Sequence, residues 1–463
     1  MDRRLLDHYN RELGHLRELG AEFARDFPKI AARLGLVGSE IVLDPYVERL
    51  LEGTAFLAAR VQLRLDAEFP RFTQQLLEML YPHYLAPTPA MLVAQFRPEL
   101  GDANLATGSV LPRGTAIRNG SDRPGSTACE FRTASELTLW PLELVEARYF
   151  SAAPELPLSG LAPGARCKGG VRLRLRASAG LSLASLKLDR LRLFLGGAGE
   201  VAHKLHELIG SACLGGLLGT GASTALGWSR LSPEQIALVG FDDEDALLPI
   251  CARGFGGYRL LQEYFSFSSR YLFFEVGGLE PLLAAQSGAE VELVLLFDRA
   301  EVGLENRVDA ANFLLHCVPA INLFEKRIDR ILLSQSVPEF HLVPDRTRPI
   351  DFEIHDLIEV TGHGSGARAE QQFRPFYSTR HAREQRPGAG YTLRREPRLL
   401  GDSQPGGRRL TGYVGSEVFL SLVDPDEAPW AADLRQLSVR AYRPSSSRKA
   451  AAPSSPSTSS SDR

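Results

Sequence analysis

Three patterns in this sequence have residue types and spacings suited to chemistry. Gly197-Ala198-Gly199-Glu200-Val201-Ala202 has the GxGxxA form of a turn that brings backbone N–H groups to a pyrophosphate. His203 and His206 are three residues apart with Glu207 beside them, a pair that zinc can use. Asp242-Asp243-Glu244-Asp245 gathers four carboxylates of the kind that hold a hard cation. Each pattern is incomplete. The strand expected before Gly197 carries Lys187, Asp189, Arg190 and Arg192, whereas a buried parallel strand is nearly all apolar. Some twenty residues on, where a ribose-binding carboxylate belongs, stands GTGAST. The histidines lack an HExxH frame and a third ligand, and the acids lack the glycine and spaced ligands of a calcium loop. GHGSG at 362–366 matches neither GxxxxGK[ST] nor GxSxG. These readings give a plain strand-to-helix turn, surface histidines and a solvated acidic turn. No catalytic, cofactor-binding or metal-binding residue is assigned.

The elements around these patterns are clearer. Leu5, Tyr9, Leu13, Leu16, Phe23 and Phe27 recur at helical spacing, and Pro28 ends or kinks that helix. Asp44 as N-cap and Pro45 at the first position announce a second helix. Its face is held by Val47, Leu50, Leu51, Leu57, Val61 and Leu65. Phe69-Pro70 interrupts the pattern, and Phe72 to Leu80 predicts a third, shorter helix. YPHYLAPTP then reads as a stiff boundary. Three helices of this kind either close on themselves or await a partner's helices.

From residue 91 the period changes to two. MLVAQFRPE, FRTASELTLW and Val171 to Arg176 alternate as half-buried strands do, and Leu186 to Leu195 repeats the signal. A helix is expected at Ala202–Ile209 and an amphipathic one at Gly257–Phe267. Strands are expected near Ile236–Val239, Tyr271–Val276 and Val291–Phe297, and again in SVPEF, IEVTG, SEVFLSLVD and QLSVRA. In CVPAINLF, Cys317, Val318, Ile321, Leu323 and Phe324 read as core, Pro319 as a turn, and Asn322 as bonded to nearby backbone. The expected class is α+β and multidomain. An N-terminal helical region (1–90) is followed by a strand-rich domain (91–235), a second α+β region (236–441) and a disordered Ser/Pro-rich tail (442–463).

Composition narrows the function classes. Lys and Arg number 53 against 56 Asp and Glu, so a generally basic nucleic-acid binder is excluded. No apolar run of membrane-spanning length occurs, and the first ten residues lack an apolar signal core. The five cysteines are widely spaced and form no CxxC, which suits free thiols in a reducing compartment. The last 22 residues hold nine serines and no Leu, Ile, Val or Phe, too little apolar surface to offset ordering entropy.

Several long stretches together resemble one family. LLDHYNRELGHLRELGAEFARDFPKIAARLGL leads into DPYVERLLEGTAFLAARVQLRLDAEFPRFTQQLLEMLYPHYLAPTPAM. HCVPAINLFEKRIDRILL, FHLVPDRTRPIDFEIHDLIEVTG, GSEVFLSLVD and DLRQLSVRA follow in the same order. The chain is similar here to the TssF (VasA, ImpG) family of type VI secretion baseplate subunits. The resemblance implies a structural, non-enzymatic role without a cofactor. It implies a wedge with TssG, a second TssF copy, TssK and TssE, arranged around the VgrG spike and supporting the Hcp tube and sheath. It places the subunit in the cytoplasm, docked at the inner membrane through the machinery. It also implies folded sequence beyond residue 441, where this chain turns Ser-rich, as a native tail or an interrupted reading frame would. On this reading Leu13, Leu16 and Phe23 of the first helix and Leu50, Leu57 and Val61 of the second are candidates for a bundle shared with TssG. Two other readings stand beside it: an NAD(P)-binding enzyme using the Gly197-Ala198-Gly199 turn, and a wedge protein of a phage-derived contractile tail.

Overall fold

The computed structural model describes residues 3–36, 44–99, 101, 103–118, 129–151, 156–158, 166–178, 180–220, 227–250, 254–286, 288–349, 351–364, 370–377, 388–398, 415–424 and 429–444. Cys251, residues 221–224 of GTGAST, residues 365–366 of GHGSG and residues 445–463 of the tail lie outside them. The chain divides into two compact units, Met1–Leu85 and Ala86–Arg463.

The first unit is helical. α1 (Arg3–Asp26) ends before Pro28, which opens the short α2 (Pro28–Arg33) at the position where its missing N–H costs least. The chain leaves α2 through Gly35 at φ +68, and Leu36 N donates to Ala31 O at 2.9 Å. Asp44 caps α3 (Pro45–Leu80) by accepting from Tyr46 N at 2.9 Å. α3 runs on through residues 69–71, so the break expected at Phe69-Pro70 and the separate third helix do not form. A proline inside a helix removes one i→i−4 bond and crowds the preceding turn. With long stretches of helix on both sides, that local loss does not end the element. α1 and α3 are antiparallel: Arg17 pairs with Glu48 near one end, and His8 Nε2 lies 3.0 Å from Asp66 at the other. Ala55, Ala59 and Leu13 are buried, and the small alanines allow close approach of the helices.

The second unit is strand-rich. Its first strands are β1 (Met91–Gln95), β2 (Ser109–Leu111), β3 (Ala116–Arg118), β4 (Glu130–Thr133), β5 (Leu137–Leu139), β6 (Leu142–Phe150) and β7 (Gly169–Ala177). Then come β8 (Leu191–Leu195), α4 (Gly199–Ser211), β9 (Cys213–Gly219), β10 (Trp228–Leu231) and β11 (Ile236–Val239). α5 (Gly256–Ser266), β12 (Phe273–Val276), α6 (Glu280–Ala284), β13 (Glu290–Phe297), β14 (Phe313–Leu314) and β15 (Cys317–Ile321) follow. The last part holds β16 (Phe324–Arg327), β17 (Ile331–Leu332), β18 (Phe340–Leu342) and β19 (Asp356–Gly364). It ends with β20 (Glu370–Pro375), β21 (Gly390–Pro397), β22 (Ser416–Val423) and β23 (Leu434–Arg443).

Sheet order explains the core. β10-β9-β13-β7-β6 form one antiparallel sheet and β11-β12-β8-β14 another. Most buried leucines of both, with Val201, Leu205 and Leu208 of α4, make one apolar cluster from Trp140 to Leu315. That cluster contains both Leu231 and Ile236, so residues on either side of the expected 235/236 boundary share it. Central β13 is buried on both faces, Leu293 and Leu295 in this cluster and Val294 and Leu296 in a smaller one. The alternation in β7 is realised: Val171, Leu173 and Leu175 point inward while Arg174 and Arg176 form a ladder outside. Arg176 Nε lies 2.7 Å from Glu290, directly across the register, and Arg174 meets Glu146 at 3.2 Å.

A further sheet, β16-β23-β19-β20-β21-β22-β18 with β17 on β23, has its own core of Ile328 to Ala441. Among the described residues only β20 and β21 pair in parallel. β23 extends to Arg443, two residues past the change of composition, where the Arg443 guanidinium sits 3.8 Å from the Phe352 ring centroid.

In the sheet β1-β15-β4-β3, Pro319 pairs with Val93 inside β15, so the expected turn there is a strand. Its carbonyl accepts from Ala134 N at 2.8 Å, just beyond the end of β4. The missing N–H therefore faces the place where that ladder stops, which is where proline is tolerated. Asn322 N bonds to Ala90 O at 2.8 Å.

Candidate assembly surfaces

The glycine turn is packed by its own chain. Gly197 has φ +83, and a Cβ there would lie 2.4 Å from Asn312 Nδ2. Asn312 Nδ2 also donates to Gly196 O at 3.2 Å. β8 is flanked by antiparallel β12 and β14, and α4 leads to β9 in a different sheet. The parallel βαβ unit that a dinucleotide fingerprint needs is therefore not what these residues build. The NAD(P) reading is corrected on that topology. The turn closes a strand onto a helix, and Asn312 fills its inner side.

The other polar patterns are spent on local contacts. His203 is exposed, with Nδ1 2.7 Å from Gly199 O. Burial pushes the His206 imidazole below its usual pKa, and Glu207 pairs with Arg299 at 2.9 Å. Among the described residues no group of His, Cys, Asp and Glu converges on a metal position. The acidic run splits between two arginines: Asp243 meets Arg259 at 2.7 Å and Asp245 meets Arg192 at 3.0 Å. A void of about 10 Å³ in the main core is lined only by apolar residues such as Leu175, Leu218 and Leu293. It is at most the size of one water and offers that water no polar partner.

What the surface does display is apolar. Of thirty exposed large apolar side chains among the described residues, seventeen belong to the helical unit. Leu13 is buried and Leu16 half-buried in the hairpin, while Phe23 is exposed. Leu50, Leu57 and Val61 are 70%, 62% and 58% exposed, on the side of α3 turned away from Ala55 and Ala59. The α3 face expected as one stripe is thus two. Val47 and Leu51 are half-buried with the alanines, and Leu50, Leu57, Val61 and Leu65 lie outside.

A second apolar face lies on α5. Phe255, Tyr258, Leu261 and Phe265 recur at three- and four-residue steps and are exposed, Phe265 at 82%. The charged residues of this helix point inward. Glu263 is buried between Arg259 and Arg270, pairing with Arg259 at 3.2 Å and directly with Arg270. Its Oε1 also accepts from Leu248 N at 3.0 Å. Arg270 donates to Gly240 O at 2.6 Å and Asp245 O at 2.8 Å, and its burial draws its pKa below the usual arginine range. Removing one member of a buried ion pair costs about 3–5 kcal/mol because the other charge is left unpaired. The network therefore fixes which side of α5 faces out. Periodicity predicted an amphipathic helix here and is silent on this inversion. The signal that carries it is Arg259 and Glu263 at i and i+4, opposite a stripe with no other charge.

Comparison with known proteins agrees with an assembly role. The family described as "Type VI secretion system, TssF" matches residues 1–454. The chain belongs to the TssF family. It is 51% identical over 444 residues to TssF1, a type VI secretion system component of Pseudomonas aeruginosa. That alignment covers 95% of this chain and 71% of the relative. A chain of the TssK-TssF-TssG baseplate subcomplex solved by cryo-electron microscopy superposes with a TM-score of 0.63 at 25% identity. The superposition covers 86% of this chain and 67% of that one. The TssF match runs from the helical unit through the sheets, and the chain is accordingly a component of the type VI secretion baseplate. Among the described residues no helix is long and apolar enough to cross a membrane.

Proposed function

We propose that this subunit is a structural member of the baseplate wedge whose helical unit joins it to TssG by completing a shared bundle. The observation that carries the proposal is the outward face of α3, where Leu50, Leu57 and Val61 are exposed on a helix already packed on its other side. A hairpin of two long helices buries one stripe from each, and a further apolar stripe stays wet until another helix covers it. Phe23 on α1 extends the same offer, while Leu13 and Leu16 support the hairpin from within. The named relatives fit this reading, since one was solved with TssK and TssG. TssK, TssE and a second copy of the chain would complete the wedge around VgrG and Hcp, on the cytoplasmic side of the inner membrane. The role is one of shape and contact, with no reaction asked of the subunit.

The test is co-purification of the full chain with its cognate TssG. Leu57→Asp and Val61→Asp each place a charge on the exposed face without touching Ala55 or Ala59. Both variants should melt like the parent and lose TssG. Leu16→Asp should lose it too, with some unfolding of the hairpin. Recovery of the complex at parental yield from Leu57→Asp and Val61→Asp would overturn the proposal.

A further inference from the structure

α5 is an eleven-residue helix whose two charged residues are both buried, so its exposed side carries no charge at all. That composition is the signature of an interface centre: aromatic side chains enriched and charges depleted. The rings continue past the helix. Tyr264 lies 6.0 Å from Tyr271, and Tyr271 stacks on exposed Phe241 at 5.1 Å. Phe255 packs edge-on to Tyr258 at 5.6 Å, and a Cβ on Gly257 would strike the Phe255 ring at 2.2 Å. The ring thus lies close over the backbone at Gly257, and a larger residue there would turn it. The strip is built and oriented, with the Arg259–Glu263–Arg270 network holding it outward.

Its border is acidic. Phe241 is followed directly by Asp242, Asp243 and Glu244, all exposed. Arg259 neutralises Asp243, and among the described residues no ion pair engages Asp242 or Glu244. An aromatic strip edged by carboxylates repels nucleic acid and anionic lipid, and attracts arginine and lysine both as charges and over ring faces. We propose that this strip docks a polypeptide segment of a baseplate neighbour other than a second copy of this chain, one that carries apolar side chains beside arginine or lysine. The proposal rests on the assembly role given above and adds a second contact surface, far along the chain from the helical unit.

Hydrogen–deuterium exchange on the full chain, alone and mixed with its cognate TssG and TssK, tests this. Peptides covering 254–266 should exchange markedly more slowly in the mixture than in the isolated chain. Leu261→Asp with Phe265→Asp should remove that protection and weaken binding by at least about tenfold, as loss of central anchors does. Melting should be unchanged, because both side chains already face water. Asp242→Asn with Glu244→Gln should weaken binding about threefold at low salt and flatten its salt dependence, since rim charges act through a screened field. Protection of α3 peptides without protection of 254–266 overturns this proposal and leaves the TssG reading standing. No protection anywhere overturns both. Protection of 254–266 that appears in the chain alone and rises with its concentration assigns the strip to a second copy and overturns the proposal. Indifference to the two acid substitutions overturns the basic character of the partner.

Discussion

The helical unit and the sheet body contain the same apolar residue types and treat them in opposite ways. Leu293 in β13 is wholly buried between sheet and helix, while Leu57 in α3 is 62% exposed. A sheet covered on both faces closes its core within one chain, because β7, β9 and α4 surround β13 from different directions. A helix hairpin has no such closure. Among the described residues α1 and α3 pack chiefly on each other, and apolar side chains beyond that contact, such as Leu57, stay exposed. In the body α5 also carries this open arrangement, where a buried charge network turns the apolar side outward. The difference teaches that apolar periodicity marks a face to be covered and says nothing about whose atoms cover it.

The largest effect should come from making the same deletion in both regions. Leu293→Ala removes atoms from a filled core and should cost about 2–5 kcal/mol. Leu57→Ala should change the stability of the isolated chain by less than about 0.5 kcal/mol. Chemical denaturation separates the two, because all three tryptophans, Trp140, Trp228 and Trp430, lie in the body while far-UV circular dichroism also sees the hairpin. A Leu57→Ala loss as large as that of Leu293→Ala would mean that the chain covers its own α3 face, and the contrast would collapse.

Next in size is an acid sensitivity that belongs to the body. His316 is buried in the left-handed region at φ 56, and its Nε2 accepts from Trp140 N at 3.2 Å. Burial pushes the imidazole down to about 4 from an ordinary 6.5. Below pH 6.5 the unfolded chain takes up a proton that the folded chain refuses, so stability falls as pH drops from 6.5 towards 4. The loss approaches roughly 3 kcal/mol at the lower end. Asp345, held down to about 2 chiefly by the Thr347 hydroxyl with Lys326 adding to it, titrates below this window. Tryptophan-monitored unfolding at pH 7, 5.5 and 4.5 should show the decline. His316→Asn tolerates the same backbone, keeps an acceptor and should flatten the curve. An unchanged slope in that variant would assign the sensitivity elsewhere.

Much of this architecture is legible in the sequence where one local rule acts alone. Asp44-Pro45 places the start of α3 to the residue, and Val171 to Arg176 shows both the strand and its buried side. The helix through Phe69-Pro70 and the strand through Pro319 are read less well, because proline lowers the odds of an element without forbidding it. In both cases the surrounding ladder outweighs one missing donor. The candidate surfaces divide the same way. The stripes containing Leu50, Leu57 and Val61 are visible as spacing, but their exposure depends on Ala55 and Ala59 taking the inner side. α5 is visible as an amphipathic helix, and its inversion depends on Arg270 and Leu248, which the sequence does not place beside Glu263.

The smallest expected effect distinguishes a packed turn from a binding turn. Gly197 adopts φ +83 against Asn312, whereas Gly199 begins α4 with ordinary φ and open space for 4 Å around the point a Cβ would occupy. Gly197→Ala should therefore cost about 1–2 kcal/mol for the left-handed backbone. Gly199→Ala should be neutral or stabilising by up to about 1 kcal/mol, because alanine loses less freedom on entering a helix. A turn built to cradle a pyrophosphate needs its glycines bare for the ligand's approach. One built to close a strand onto a helix needs glycine only where φ is positive. Thermal melts of the two variants, with NAD titrated against tryptophan fluorescence in each, decide between them. Saturable NAD binding abolished by Gly199→Val would restore the binding turn and place a function in the body that its packing does not otherwise call for.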